Sequence, residues 1–252
     1  MKRQMMLEVQ SLTHTFSDGT VGVENINLKI NSDEFVVITG ANGSGKTVFS
    51  RHLNGLLAPT SGQVLIDGKS VSNNIRQARQ DIGLIFQESD SQFVSQTVAE
   101  DVAFGPENLN LPRMKVDQIV TESLEMVGLN DFKTRNPHAL SGGQKRKLAV
   151  AGVLAMKPKM IIFDEPFTGL DYVGVVQVLK QLINLHQLGH GIVLITHELE
   201  KVLAHATRLV VFYRGKCVVD GLPEVVVDQV EDYDVRNPLK NGERVDSLTW
   251  LK

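Results

Sequence analysis

One octapeptide constrains the fold of this chain more than any other feature. Eight consecutive residues match the pattern G-x-x-x-x-G-K-[ST] at every fixed position: Gly40, Ala41, Asn42, Gly43, Ser44, Gly45, Lys46 and Thr47. Glycines in such a loop let backbone N–H groups curl around phosphate oxygens, because no Cβ stands in the way. A strand pattern precedes the octapeptide and a helical pattern follows it, as this motif requires. The pattern therefore predicts a phosphate-binding loop rather than a plain glycine-rich turn.

The residue types in this loop also predict how a nucleotide would be held. The helix after the loop directs the positive end of its dipole at the phosphates. The Lys46 ammonium is expected to reach the β- and γ-phosphates of ATP, and the Thr47 hydroxyl is expected to ligate Mg²⁺.

Short apolar runs alternate with longer helical patterns, which predicts an α/β fold with a parallel sheet. Four runs are almost continuously apolar, as is typical of strands that are covered on both faces; they span residues 35–38, 82–86, 160–163 and 192–195. A fifth run, 209–213, predicts another strand. Before residue 31, apolar and polar residues alternate more loosely, which predicts an N-terminal antiparallel β-subdomain. Three- and four-residue spacing within 112–156 predicts an inserted α-helical subdomain.

Polar residues follow the apolar runs at the points where the predicted strands end. They are Gln87, Asp164, Glu165 and His197. Ligands of open parallel sheets bind at the carboxyl ends of the strands, so these side chains predict one composite site around the phosphate loop. Asp164 is expected to hold Mg²⁺ and Glu165 to polarise the attacking water. The alternative is that the two acids form a solvated turn, or that Glu165 caps a helix.

A second glycine motif lies 95 residues after Lys46, in the helical insertion. Leu140 is followed by Ser141, Gly142, Gly143 and Gln144, at the start of a helix predicted to reach about Met156. Ser141 and Gln144 have the spacing of a capping box. The two glycines would also expose backbone N–H groups to an anion.

Composition narrows the classes of function. The formal net charge is -3, without a block of like charge, so a nucleic-acid-binding surface is not predicted. The single cysteine excludes an internal disulfide. There is no apolar run long enough for a signal peptide or for a membrane span of ~20 residues, so we expect a soluble protein that could sit on a membrane protein.

Taken together, these motifs resemble those of the ATP-binding-cassette (ABC) ATPases over about residues 5–230. The resemblance is carried by the phosphate loop, Gln87, the LSGGQ motif, the run that ends in Asp164 and Glu165, Asp171 and His197. It implies a P-loop NTPase core with an ABC ATPase domain over residues 1–230, a helical subdomain over about 88–157, and a short C-terminal extension of unassigned role over 231–252.

The resemblance also implies a head-to-tail dimer in which each subunit completes the ATP site of the other. Ser141 and Gly143 would contact the γ-phosphate in trans with their neighbours Gly142 and Gln144, and Asp171 would cross the interface. His197 would contact the γ-phosphate and help to hold the attacking water. Gln87 would join Mg²⁺. Phe16 would stack on adenine, with simple core packing as the alternative.

Within this family, residues 82–108 and 144–155 are similar to the energy-coupling-factor importers of cobalt, nickel and vitamins. That similarity implies a motor for micronutrient uptake at the cytoplasmic face of the cell membrane. Its partners would be a second ATPase subunit, identical or paralogous, an integral membrane coupling protein and a substrate-binding membrane protein. The coupling groove would span about residues 87–104, with Phe93, Val94 and Val98 as apolar contacts unless they are interior.

Other classes remain open at this stage. The chain could be the ATPase of another ABC transporter type, a soluble cassette that acts on nucleic acid or ribosomes, or a nucleotide-dependent switch without turnover. The second expects a tandem chain or a basic surface, and neither is seen. The third expects a missing catalytic acid or histidine, yet Glu165 and His197 are both present.

Overall fold

The computed structural model describes residues 5–86, 92–239 and 243–251. The chain divides into two units, Met1–Ile82 with Lys159–Lys252 and Gly83–Pro158. The strands are β1 (Met6–Thr15), β2 (Val21–Asn31), β3 (Phe35–Thr39), β4 (Ser61–Ile66), β5 (Lys69–Ser70), β6 (Ile82–Ile85), β7 (Met160–Asp164), β8 (Gly191–Ile195), β9 (Arg208–Tyr213) and β10 (Lys216–Gly221). The helices are α1 (Lys46–Leu53), α2 (Ile75–Asp81), α3 (Val98–Asn108), α4 (Arg113–Val127), α5 (Gly142–Ala155), α6 (Tyr172–Gln187) and α7 (Pro223–Val226).

The first unit contains a largely parallel sheet in which five neighbouring strands follow the order β10-β9-β3-β8-β7. β3 pairs in parallel with β8 and β9, and β7 pairs in parallel with β8. Every residue of β3, β7 and β8 is buried. Their continuous apolar sequence is therefore explained by burial on both faces, and this part of the predicted fold class is confirmed.

An antiparallel sheet with the order β2-β1-β4-β5 completes the first unit. β1 pairs with β2 and β4, and β4 pairs with β5. The β4–β5 turn places Asp67 and Gly68 at φ angles of 49° and 77°, which are the positive values of a tight hairpin turn. The predicted antiparallel subdomain is confirmed.

The second unit is mainly helical, as predicted for this part of the chain. Its helices α3, α4 and α5 pack on one another. Thr97 caps α3 through a box with Glu100, and α4 ends at Gly128 in the left-handed region with a φ of 69°. Leu124 of α4 and Leu148 of α5 are completely buried in the core of this unit.

The predicted apolar groove within residues 87–104 needs a correction. Val98 is 0% exposed and Phe93 is 8% exposed, so neither forms a surface contact. Val98 begins α3 and turns inward with Val102, which lies four residues further on along the same buried face. Of the predicted contacts that the structure describes, only Val94 lies at the surface, at 65% exposed, and Phe104 joins it at 52%.

A buried histidine on α1 predicts how stability depends on pH. Burial, assisted by the nearby His14 ring, lowers the pKa of His52 from 6.5 to about 4. The unfolded chain therefore takes up this proton at higher pH than the folded chain, and stability falls as pH falls from about 6.5 towards 4. Between pH 7 and pH 5 we expect His52 to lower the free energy of unfolding by about 2 kcal/mol.

Urea denaturation at both pH values measures this loss. Wild type is expected to lose about 2 kcal/mol more than a His52→Gln variant. The control is His138→Gln, which changes an exposed histidine and should keep the wild-type loss. Equal losses in wild type and His52→Gln would contradict the assignment.

Candidate active site

The phosphate loop connects the end of β3 to the start of α1. Gly40, Gly43 and Gly45 have φ angles of 150°, 77° and 99°, in the region that favours glycine. A Cβ at Gly40 would collide with the Phe212 carbonyl oxygen, and one at Gly45 would lie 2.5 Å from the Gly22 carbonyl oxygen. Gly40 and Gly45 are therefore required both by the turn and by the close approach of neighbouring backbone.

The Lys46 ammonium lies folded over the loop that precedes it. Its Nζ donates to the carbonyl oxygens of Gly40 at 2.7 Å and Ala41 at 3.0 Å. Lys46 is only 6% exposed, and burial lowers its pKa, while the charges of Glu165 and Asp164 oppose that shift. A desolvated cation held at the start of a helix is suited to bind phosphate oxygens, which would replace its lost hydration.

Two buried hydroxyl groups beside the loop have no hydrogen-bond partner among the described residues. They are Thr39 Oγ1, at the end of β3, and Ser44 Oγ, within the loop. Gly45, the N-cap of α1, also has no side chain to cap the helix, and the first N–H groups of a helix have no acceptor inside the helix. Buried polar groups are normally satisfied, so this set of donors fits an anionic ligand such as a nucleotide phosphate.

Asp164 ends β7 next to the loop. Its Oδ1 accepts a hydrogen bond from the Thr47 hydroxyl at 3.3 Å, and the residue is only 4% exposed. Burial raises the pKa of the Asp164 carboxyl, the Thr47 bond opposes this shift and the charge of Glu165 adds to it. A hydroxyl and a carboxylate held together in this way are oxygen ligands of the kind that Mg²⁺ prefers, so the donor set fits this metal.

Glu165 follows Asp164 and is held in a strained conformation. Its φ angle is 48°, in the left-handed region, and its backbone N–H donates to the Ile195 carbonyl at 2.9 Å. Such a conformation costs on the order of 1 kcal/mol in a residue other than glycine, and active sites are among the places where it persists. It lets the chain turn sharply after β7 and directs the carboxylate at His197.

His197 lies after the end of β8, beside Glu165. Its Nδ1 is 3.0 Å from Glu165 Oε1 and 3.1 Å from Oε2. An ionised carboxylate only accepts hydrogen bonds, so with Glu165 ionised this contact is a hydrogen bond that Nδ1 donates. The His197 side chain is 54% exposed whereas that of Glu165 is 12% exposed, so the ring reaches from the carboxylate towards the solvent.

The LSGGQ motif starts α5 in the second unit. Ser141 is the N-cap, and its backbone N–H donates to Gln144 Oε1 at 2.9 Å, while the Gln144 N–H donates to Ser141 Oγ at 3.4 Å. The predicted capping box is therefore confirmed. Gly142 and Gly143 are exposed, and a Cβ built on either would meet no described atom within 4 Å.

Three further residues are predicted for the site, namely Asp171, Phe16 and Gln87. Asp171 is exposed and caps α6, accepting from the Gly174 N–H at 2.8 Å. Phe16 is 40% exposed, so it does not fill the core, and its ring packs edge-on against His14 with centroids 4.8 Å apart. Gln87 lies outside the described residues.

A cavity of about 930 Å³ opens beside the phosphate loop in the first unit. Gly40, Asn42 and His197 lie along one part of its lining, and the rest includes Thr249 and Trp250 of the C-terminal segment. No local sequence pattern assigns a role to that segment. The one available signal was Trp250, the only tryptophan of the chain, but the rings and charges that it contacts are distant in sequence.

Comparison with known proteins agrees with this geometry. Residues 23–168 match the family described as ABC transporter. The energy-coupling factor transporter ATP-binding protein EcfA of Methanocaldococcus jannaschii is 42% identical over 90% of this chain and 82% of its own length. EcfA2 of Clostridium tetani is 37% identical, over 90% and 82%.

Two solved structures share the fold. CbiO1 of Clostridium perfringens, described as part of the ABC transporter complex CbiONQ, has a TM-score of 0.79 at 36% identity and covers 91% of this chain and 93% of its own. A dimeric ATP-binding cassette in a post-hydrolysis state with ADP and Pi has a TM-score of 0.76 at 27% identity, over 86% and 98%. The chain is therefore a member of the ABC transporter family, an ATP-binding ATPase subunit of the energy-coupling-factor type.

Proposed function

We propose that this ATPase powers the uptake of a micronutrient, a metal ion or a vitamin, from the cytoplasmic face of the cell membrane. The similarity to the EcfA proteins, at 42% identity over 90% of the chain, carries the importer assignment. The arrangement of Lys46, Asp164, Glu165 and His197 around one loop supports hydrolysis rather than binding alone.

The first unit supplies the half of the ATP site that binds the phosphates. The loop N–H groups and the Lys46 ammonium bind the β- and γ-phosphates, and negative charge that develops on the γ-phosphoryl oxygens is stabilised there. The Ser44 hydroxyl, which has no partner among the described residues, is placed to donate to a phosphate oxygen. Phe16, with its exposed ring, would stack on the adenine.

Thr47 and Asp164 would hold Mg²⁺, joined by Gln87. A cation held by these residues would supply positive charge that offsets part of the negative charge of the phosphates. Burial disfavours the charged form of Asp164, so a bound cation would offset a cost that the folded protein already carries.

Glu165 and His197 would prepare the attacking water. The Glu165 carboxylate accepts from the imidazole at 3.0 Å and retains lone pairs for a proton of that water. His197 holds the carboxylate in place through Nδ1, and its exposed edge is left to contact the γ-phosphate.

The second half of the site would come from another ATPase subunit. Glycine at 142 and 143 has no steric cause among the described residues, since a Cβ there meets nothing within 4 Å. Glycine is also a poor helix former compared with alanine, by about 1 kcal/mol in a helix interior. We infer that both positions are kept small for close contact with the γ-phosphate held by a partner subunit, together with Ser141 and Gln144. Asp171 would cross the same interface.

The membrane partners would be an integral coupling protein and a substrate-binding protein. No helix among the described residues combines the length and apolar character that a bilayer crossing needs. Val94 and Phe104, both largely exposed, are the apolar residues in the proposed coupling region that remain available for contact.

Purification from detergent-solubilised membranes tests the importer assignment. We expect the tagged chain to elute with a small integral membrane protein, and we expect ATPase activity in that fraction. A Lys46→Ala assembly should elute in the same way but should not hydrolyse ATP, which shows that the activity belongs to this chain. Elution with ribosomes in place of a membrane protein would overturn the assignment.

A further inference from the structure

The C-terminal segment, residues 243–251, belongs to the first unit and is held to the rest of it by specific contacts. Val245 and Leu248 are 7% and 5% exposed, so the segment buries apolar side chains of its own. The Ala204 N–H donates to the Leu248 carbonyl at 3.1 Å. His205 Nε2 lies 2.8 Å from the hydroxyl oxygen of Thr249.

The end of the same segment is attached to the stretch of chain that follows His197. The Trp250 N–H donates to the Lys201 carbonyl at 3.3 Å. Lys201 lies four residues after His197. This backbone contact therefore holds the indole ring beside one part of the candidate active site.

The Trp250 ring lies between two parts of that site. Its centroid is 5.5 Å from that of Tyr172, the residue directly after Asp171. Its other contact is Lys201, whose Nζ lies 4.7 Å from the centroid of the Trp250 ring. The indole therefore contacts both Tyr172, which follows Asp171 directly, and Lys201, which lies four residues after His197.

The indole ring stabilises the buried ammonium group of Lys201. The residue is only 5% exposed, and its ammonium is paired with Glu198. The same Nζ lies 5.6 Å from the centroid of Phe167, two residues after Glu165. A buried ammonium is costly unless its surroundings replace the lost water, and aromatic faces do so in part. Removal of the indole would therefore loosen Lys201 and the segment that carries His197.

We propose that Trp250 is a positioning residue of the ATPase. Through its contacts with Tyr172 and Lys201, it keeps Asp171 and His197 in fixed positions relative to each other. This inference rests on the proposed roles of Asp171 and His197 in hydrolysis. Trp250 acts through its neighbours and takes no part in the chemical step.

Steady-state kinetics of the full chain test the proposal. Trp250→Ala is expected to lower kcat about tenfold, as the loss of one partly buried cation–aromatic contact implies, with KM for ATP changed less than about twofold. Trp250→Phe keeps an aromatic face and should restore most of kcat. The matched control is Asp246→Ala, which removes an exposed side chain of the same segment and should leave kcat unchanged.

A double-mutant cycle separates positioning from general destabilisation. Lys201→Met removes the charge, and we expect Trp250→Ala to lower kcat much less in that background, because its partner is already lost. Since Trp250 is the only tryptophan, its fluorescence should also change when ATP is added to the wild-type chain. An unchanged kcat in Trp250→Ala, or additive losses in the double variant, would overturn the proposal. If wild type itself fails to hydrolyse ATP, the proposed function fails instead.

Discussion

A Glu165→Gln variant is expected to bind ATP, to form a stable dimer and to hydrolyse ATP on the order of 10²–10⁴-fold more slowly than wild type. The amide keeps the size of the carboxylate but is a poor acceptor for a proton from the attacking water. The contact at 3.0 Å between His197 Nδ1 and Glu165 Oε1 can persist through the amide oxygen. Binding should therefore survive while the chemical step is lost.

Single-turnover hydrolysis and size-exclusion chromatography with ATP measure the two effects separately. Glu224→Gln makes the same chemical change at an exposed position of α7 and should behave as wild type. Wild-type turnover in Glu165→Gln would remove Glu165 from the mechanism. Loss of ATP binding would show instead that the carboxylate supports the shape of the loop.

A Gly143→Ala variant is expected to lose hydrolysis on the order of 10²-fold without loss of fold stability. A Cβ at this position meets no described atom within 4 Å, and alanine favours a helix more than glycine does. The penalty should therefore arise only where a second subunit brings its bound nucleotide against α5. Gly152→Ala is the matched control, because a Cβ there also meets nothing within 4 Å in the same helix.

Mixed dimers decide whether the motif acts on the partner's nucleotide. When Gly143→Ala and Glu165→Gln chains are combined, each hybrid dimer has one site with an intact glutamate and an intact glycine motif. With random pairing, the mixture should recover roughly a quarter of the wild-type rate. If the motif served the nucleotide of its own chain, every site would remain defective and the mixture would recover nothing.

The sheet and the phosphate loop could be predicted because burial and close backbone contacts restrict which residue types can occupy these positions. The run 160–163 is apolar throughout because both faces of β7 are covered, and Gly40 is glycine because a carbonyl oxygen occupies the space of its Cβ. The LSGGQ capping box is likewise a local arrangement, and its spacing alone predicted the cap.

The remaining features depend on contacts that are distant in sequence. For Val98 the sequence leaves open a groove contact and an interior position, because an apolar residue at the start of a helix does not reveal which way that helix faces. This helix turns Val98 towards the core. The contact of Trp250 with Tyr172 joins residues from opposite ends of the last third of the chain, and no local pattern reports it. The left-handed backbone of Glu165 accompanies a hydrogen bond to Ile195, which is distant in sequence, and the residue type does not predict it.

Burial of Lys46 and Asp164 links the lifetime of the folded protein to the supply of nucleotide. Each of these charged groups is desolvated, at 6% and 4% exposed, and burial opposes the charged form of both. A ligand that binds only the folded chain adds about 2.7 kcal/mol of stability at a concentration about one hundred times its Kd. Removal of the bound nucleotide would therefore raise the fraction of unfolded chains and their exposure to proteases.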